Sequence, residues 1–212
     1  MKKPRPPIRT PFTGNADADA LLSENPFALL VGMLLDQQVP MEWAFAAPAV
    51  LKERLGGELD PRSVAARAPD DLEAVFRAKP ALHRYPGSMA KRTHAIAAFI
   101  VEHYDGETEN IWRDVETGAE LYERLLALPG YGKDKARIFV GVLGKRLGVC
   151  PEGWEAAAAD WPSIADVDRH ERVLEIREQK RALKASKMKA AKKATKQAAP
   201  KKTAKKTSAS SR

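Results

Sequence analysis

The 212-residue chain is 44% apolar and carries a single cysteine, Cys150, which excludes an internal disulfide and any four-cysteine zinc or iron–sulfur site built from one chain. Its net charge of +8 is unevenly placed: residues 184–212 hold ten lysines, one arginine and no acidic residue, so this segment carries +11 and the remainder a net −3. No apolar run reaches the roughly 20 residues that a bilayer requires, and the basic, proline-punctuated start lacks the apolar stretch of a signal peptide, so the expected setting is the cytoplasm.

Taken in order, residues 1–24 are rich in Pro and Asp with little periodicity and read as an extended lead-in. From Pro26 to Leu35 the chain is apolar on every face, which predicts a central helix packed on all sides, with Asn25 as N-cap and Pro26 in the first turn. Pro40 opens a second helix carrying Trp43, Ala47, Val50 and Leu51 and closing at Gly56-Gly57. Pro48 inside that pattern predicts a kink or break. Asp60-Pro61 and Pro69-Asp70-Asp71-Leu72 each look like the first turn of a short helix. Between Ser88 and Tyr104, Met89, Thr93, Ile96, Ile100 and His103 recur at helical spacing.

The most informative stretch is Leu128-Pro129-Gly130-Tyr131-Gly132-Lys133-Asp134-Lys135-Ala136, set between two helical patterns. Leu121, Leu125 and Leu128 precede it; Ala136, Phe139, Val140, Leu143 and Leu147 follow, so helices are expected over 118–128 and 133–147. Gly-x-Gly permits positive φ and close approach of the backbone. The amides that open the second helix lack intrahelical acceptors and sit at the positive end of its dipole, which makes a phosphate site. A plain corner between two helices is the other reading of the glycines. Beyond Gly148 the pattern weakens, then recovers around Val173 and Ile176 as a last helix reaching Leu183. No period-two stretch is present, so the fold class is all-α, a compact helical domain over 25–183 followed by a disordered Lys/Ala-rich tail over 184–212. Such a tail on a mildly acidic body predicts an anionic polymer as partner, with salt-sensitive affinity; a merely solvated tail is the alternative.

The Leu-Pro-Gly-Tyr-Gly-Lys-Asp-Lys-Ala pattern resembles the helix-hairpin-helix of the base-excision DNA glycosylases related to endonuclease III and 3-methyladenine glycosylase II (the HhH-GPD superfamily). The resemblance spans about residues 25–150. Its second anchor is Leu34-Leu35-Asp36-Gln37-Gln38, similar to the segment from which these enzymes insert a polar side chain into the gap left by an extruded nucleotide; Gln38 holds the matching position. Lys91-Arg92, on the Ser88–Tyr104 helix, is a weaker third. The resemblance implies DNA contacts at Gln38, Gly130, Tyr131, Gly132, Lys133 and Lys135.

Departures from the pattern bear on chemistry. Lyase-competent relatives place a lysine two residues after the second glycine, and this chain has Asp134 there, so no lyase activity is expected. The superfamily aspartate falls about eighteen residues further on; that count lands on Glu152, without its usual motif. Val167-Asp168-Arg169-His170 matches the motif better but lies later in the chain. If the hairpin is superfamily-like, Asp134 and Glu152 form a carboxylate pair, one stabilising the sugar cation and one activating water. Alternatively Asp134 only occupies a helix first turn, where negative charge is favoured. With one cysteine the iron–sulfur loop of the endonuclease III branch cannot form, and no cofactor is expected. The resulting expectation is a monomeric, monofunctional DNA glycosylase acting on duplex DNA and associated with the chromosome, with no membrane partner. The rival is a non-catalytic DNA-binding protein that kept the hairpin.

Overall fold

A computed structural model describes residues 10–197. Among these residues the chain is all-helical, apart from one isolated parallel bridge between Thr117 and Glu152. It divides into two units, the first reaching Ile176 and the second beginning at Arg177.

The first unit is built around α2 (Pro26–Leu35), in which Phe27 through Leu35 are all buried. Asn25 starts it as expected, its side chain accepting the Ala28 amide while its own amide group donates to the Leu59 carbonyl at 2.8 Å. Around α2 lie α1 (Ala16–Glu24), α3 (Met41–Arg54) and α6 (Pro86–His103), with α4 (Pro61–Ala65) and α5 (Pro69–Arg77) packed against α6. A short 3-10 turn over Thr108–Ile111 leads to the hairpin helices α7 (Gly118–Leu126) and α8 (Lys133–Val142). α9 (Trp154–Ala157) and a 3-10 turn over Ile164–Asp166 then cover α8, and α10 (Arg172–Gln197) contributes Val173 and Ile176 to the core.

Four expectations need correction. Residues 16–24 are helix, not extended lead-in: Asn15 caps α1 and the Asp19 carboxylate accepts from the backbone amides of Phe12 and Thr13 at 3.0 and 2.9 Å. That fastening seats Phe12, fully buried, edge-on against Phe45. Residues 1–9 lie outside the described part. Of the kink or break expected at Pro48, the break is absent: α3 is a single helix through Arg54, with the proline buried beside Ala44, Phe45, Ala47 and Leu51. The expected second hairpin helix changes geometry at Leu143, where a π turn runs to Leu147 and ends at Gly148 with φ +70°. There the Trp154 ring occupies the space over Gly144, 2.3 Å from where a Cβ would stand. Finally, 184–197 belongs to α10 and is helical rather than disordered. Alanine and lysine are strong helix formers, so the segment can continue a helix without a core of its own; 198–212, the rest of the expected disordered tail, lies outside the described residues.

Candidate nucleic-acid interface

Six residues, 127–132, connect α7 to α8. The Tyr131 amide donates to the Leu128 carbonyl at 3.0 Å, with Pro129 and Gly130 between them and Gly130 at φ +85°. A Cβ on Gly130 would stand 2.6 Å from Leu34 Cδ1, so this glycine is required by both backbone and packing. Gly132 is different. Its φ of −96° suits any residue, and a Cβ there would meet nothing within 4 Å. It is the N-cap of α8, yet no side chain caps the helix. The Lys133 and Asp134 amides therefore have no acceptor among the described residues and face solvent beside the exposed Lys133 and Asp134 side chains.

Two residues expected at a DNA surface have other duties. Tyr131 is 6% exposed, and its hydroxyl donates to the Leu30 carbonyl at 2.8 Å. Burial raises its pKa well above 10, and its ring stands edge-on to Phe139. It anchors the turn to α2 and is not presented to a ligand. Lys135 donates from Nζ to the carbonyls of Met33 and of Asp36, the latter at 3.0 Å. These are carbonyls at the C-terminal end of α2, where a cation is favourable. A lysine that looked like a phosphate ligand is a cap for a neighbouring helix.

Gln38 follows directly on that capped end. It is exposed and adopts φ +57°, a conformation that costs a residue with a Cβ about 1 kcal/mol or more. The chain holds it there by several contacts. Gln37 donates to the Leu34 carbonyl at 2.9 Å and accepts from Arg92 at 3.0 Å. His83, 1% exposed, bonds through Nε2 to the Gln37 carbonyl at 3.1 Å, and its Nδ1 accepts the Tyr85 amide at 3.0 Å. Tyr85 in turn donates its hydroxyl to Gln38 Oε1 at 3.2 Å. Tyr85 is 42% exposed, with the Arg84 guanidinium over its ring at 5.4 Å. In the sequence His83 is one of four scattered histidines that read as core or surface residues, and it is a core one; Tyr85 shows only as an aromatic between a basic residue and a helix-opening proline, too common to single out. Arg92 connects this cluster to the hairpin, its Cδ lying 3.8 Å from the Cβ position of Gly130.

Glu152 is elsewhere. Its carbonyl accepts the Gly118 amide at 2.7 Å and its amide donates to the Glu116 carbonyl at 2.9 Å. It therefore lies at the start of α7, nine residues long, about 13 Å along the helix from the turn. The structure does not bring Asp134 and Glu152 together as a carboxylate pair. Gly118 explains the placement: its missing Cβ lets the Trp154 backbone approach, with the Trp154 Cα 2.4 Å from the Cβ position. The flank of α8 that carries Asp134 meets the segment 158–166 instead. Arg137, one turn after Asp134, donates to the Ala158 carbonyl at 2.8 Å, approaches the Asp160 carboxylate at 3.5 Å and lies over the Trp161 ring at 4.8 Å. Further along, Gly141 faces Ala165, and Lys145 pairs with Asp166. Asp168 is exposed and pairs with its neighbour Arg169 at 3.3 Å.

Among the described residues no group of His, Cys, Asp and Glu side chains is arranged to hold a metal ion, and no single helix is long and apolar enough to cross a membrane. No family model matches the chain, and no curated protein and no solved structure is significantly similar to it.

Proposed function

We propose that this protein engages duplex DNA at the α7–α8 turn, probes the base stack with Gln38 and Tyr85, and hydrolyses the N-glycosidic bond of a damaged or mispaired base, as the helix-hairpin-helix glycosylases that its motifs resemble do. The observation that carries the reading is the open N-terminus of α8, where Gly132 offers neither a Cβ nor a cap and Lys133 stands beside unpaired amides. A DNA phosphate suits such a site in size and charge. Phosphate contacts fix register without reading sequence, so recognition falls to Gln38 and Tyr85. A flat amide can hydrogen-bond an orphaned base, and an aromatic ring can take the stacking place of an extruded one.

Hydrolysis breaks the C1′–N bond with its electrons leaving on the base. The sugar becomes oxocarbenium-like, water adds to C1′ and passes a proton to a carboxylate, and the base takes up a proton. Asp134 stands at this end of α8 to stabilise the cation, and Asp160, held at Arg137, is a second carboxylate on the same flank. Glu152 has no part in this reading. Lyase chemistry is not expected, because Asp134 occupies the lysine position and the Lys135 amine caps α2.

The position of Glu152 favours a second reading, a duplex-binding protein without turnover. Incubation with duplexes carrying uracil, alkylated, oxidised and mismatched bases, followed by alkaline cleavage of abasic sites, separates the two. The first reading expects product beyond one equivalent of protein on at least one substrate, reduced in Asp134→Asn and unchanged in Glu152→Gln. No product on any duplex, together with salt-dependent duplex affinity, supports the second.

A further inference from the structure

The loop that presents Gln38 and the loop that presents Tyr85 are joined by one buried side chain. His83 accepts at Nδ1 from the Tyr85 amide, which leaves the proton of the neutral ring on Nε2, where it donates to the Gln37 carbonyl. This tautomer satisfies both loops at once. We propose that His83, as the neutral Nε2–H imidazole, is the positioning residue that holds Gln38 and Tyr85 together as one probe, and that protonating the ring uncouples them.

The chemistry is specific to the neutral ring. An imidazolium has two donors and no acceptor, so a proton on Nδ1 would confront the Tyr85 N–H, and the amide would lose its partner. The charged groups that act on His83 come from both packed helices: Lys135 from α8 and Arg92 from α6, each cationic. Burial first, then these two charges, hold the His83 pKa below 6.5, against the opposing pull of the Gln37 and Leu35 carbonyls. The sign follows: the neutral, coupled form is complete above 6.5 and is lost as pH falls through the lowered value. Uncoupling also frees the Tyr85 hydroxyl from Gln38, since their 3.2 Å bond depends on the two loops being in register. The proposed phosphate site is the Lys133 and Asp134 amides, which make no bond to either loop, so phosphate attraction is not what protonation removes.

The test is an NMR titration of the full chain without DNA, from about pH 7.5 to about pH 5, a window in which histidine is the side chain that titrates. The amide resonances of Gln37, Gln38 and Tyr85 are expected to move with the His83 ring, with a midpoint below 6.5, while that of Leu125 in α7 stays fixed. A His83→Gln variant, which has no titrating ring, is expected to leave the Gln38 and Tyr85 amides insensitive over the same range. Amides that stay flat while the ring titrates, or a ring that titrates at or above 6.5, overturn the proposal, and both are read on the unaltered protein should the variant fail to fold. The role in DNA probing rests on the function proposed above and has its own readout, a duplex with 2-aminopurine beside a mismatch. There the fluorescence gain on binding is expected at a pH above the His83 midpoint and is lost at a pH below it, while affinity is retained. Coupled amides without any 2-aminopurine response at either pH support His83 as the joint and count against the duplex reading alone.

Discussion

Gly130 and Gly132 sit two residues apart and have opposite reasons to be glycine. The first is fixed by φ +85° and by Leu34; Gly130→Ala should cost about 1–2 kcal/mol in urea unfolding. The second is required by nothing in the fold, and as an uncapped N-cap it is below its stability optimum. Serine at that position would cap α8 and stabilise the protein by a few tenths of a kcal/mol. Tyr131→Phe should lower stability by about 1 kcal/mol, the net value of its bond to the Leu30 carbonyl, and leave duplex affinity unchanged, because the ring is buried; an equal loss of affinity would mean that the phenol reaches DNA. The motif could be read in the sequence, but not which of its members face outward. Spacing alone does not say that Lys135 reaches the end of α2, since that depends on a contact between residues about a hundred positions apart.

At the scale of elements, periodicity carried the central helices. α6, α7 and α8 appear where apolar residues recur at helical spacing and α2 where the chain is apolar on every face, and Met89, Thr93, Ile96 and Ile100 are buried on α6 as that spacing requires; His103, on the same stripe, is exposed at the last turn. The misses have local physical causes. α1 was hidden because its helical pattern has only Ala18 and Leu22 on the buried side, and its fastening comes from Asp19 bonds that composition reads as loop. Glu152 was misplaced because counting along the chain ignores the glycine-lined face of the hairpin. Gly118 and Gly144 receive Trp154 there, and the segment before it is drawn to the start of α7. Gly118→Ala should accordingly cost about 2–3 kcal/mol of stability by displacing the Trp154 backbone, with the Thr117–Glu152 bridge lost; a neutral effect in thermal melting would show that Trp154 is not seated as described.

Over the whole molecule, charge is divided between a body that is acidic by three and a terminal segment of +11. Affinity from such a segment comes with counterion release, so removal of residues 184–212 should weaken duplex binding and reduce the slope of log affinity against log salt by several units. An unchanged slope would exclude the segment from DNA contact. In the function proposed above the remaining affinity belongs to the α7–α8 turn, and Gly132→Ser isolates it, because the hydroxyl takes a vacant amide and stands where the phosphate would. Duplex titration of that variant beside the unaltered protein at matched salt tests the claim most directly. The hairpin account predicts a protein that melts at the same or a higher temperature and binds roughly tenfold more weakly, ~1.4 kcal/mol; equal affinity in the more stable protein would contradict it.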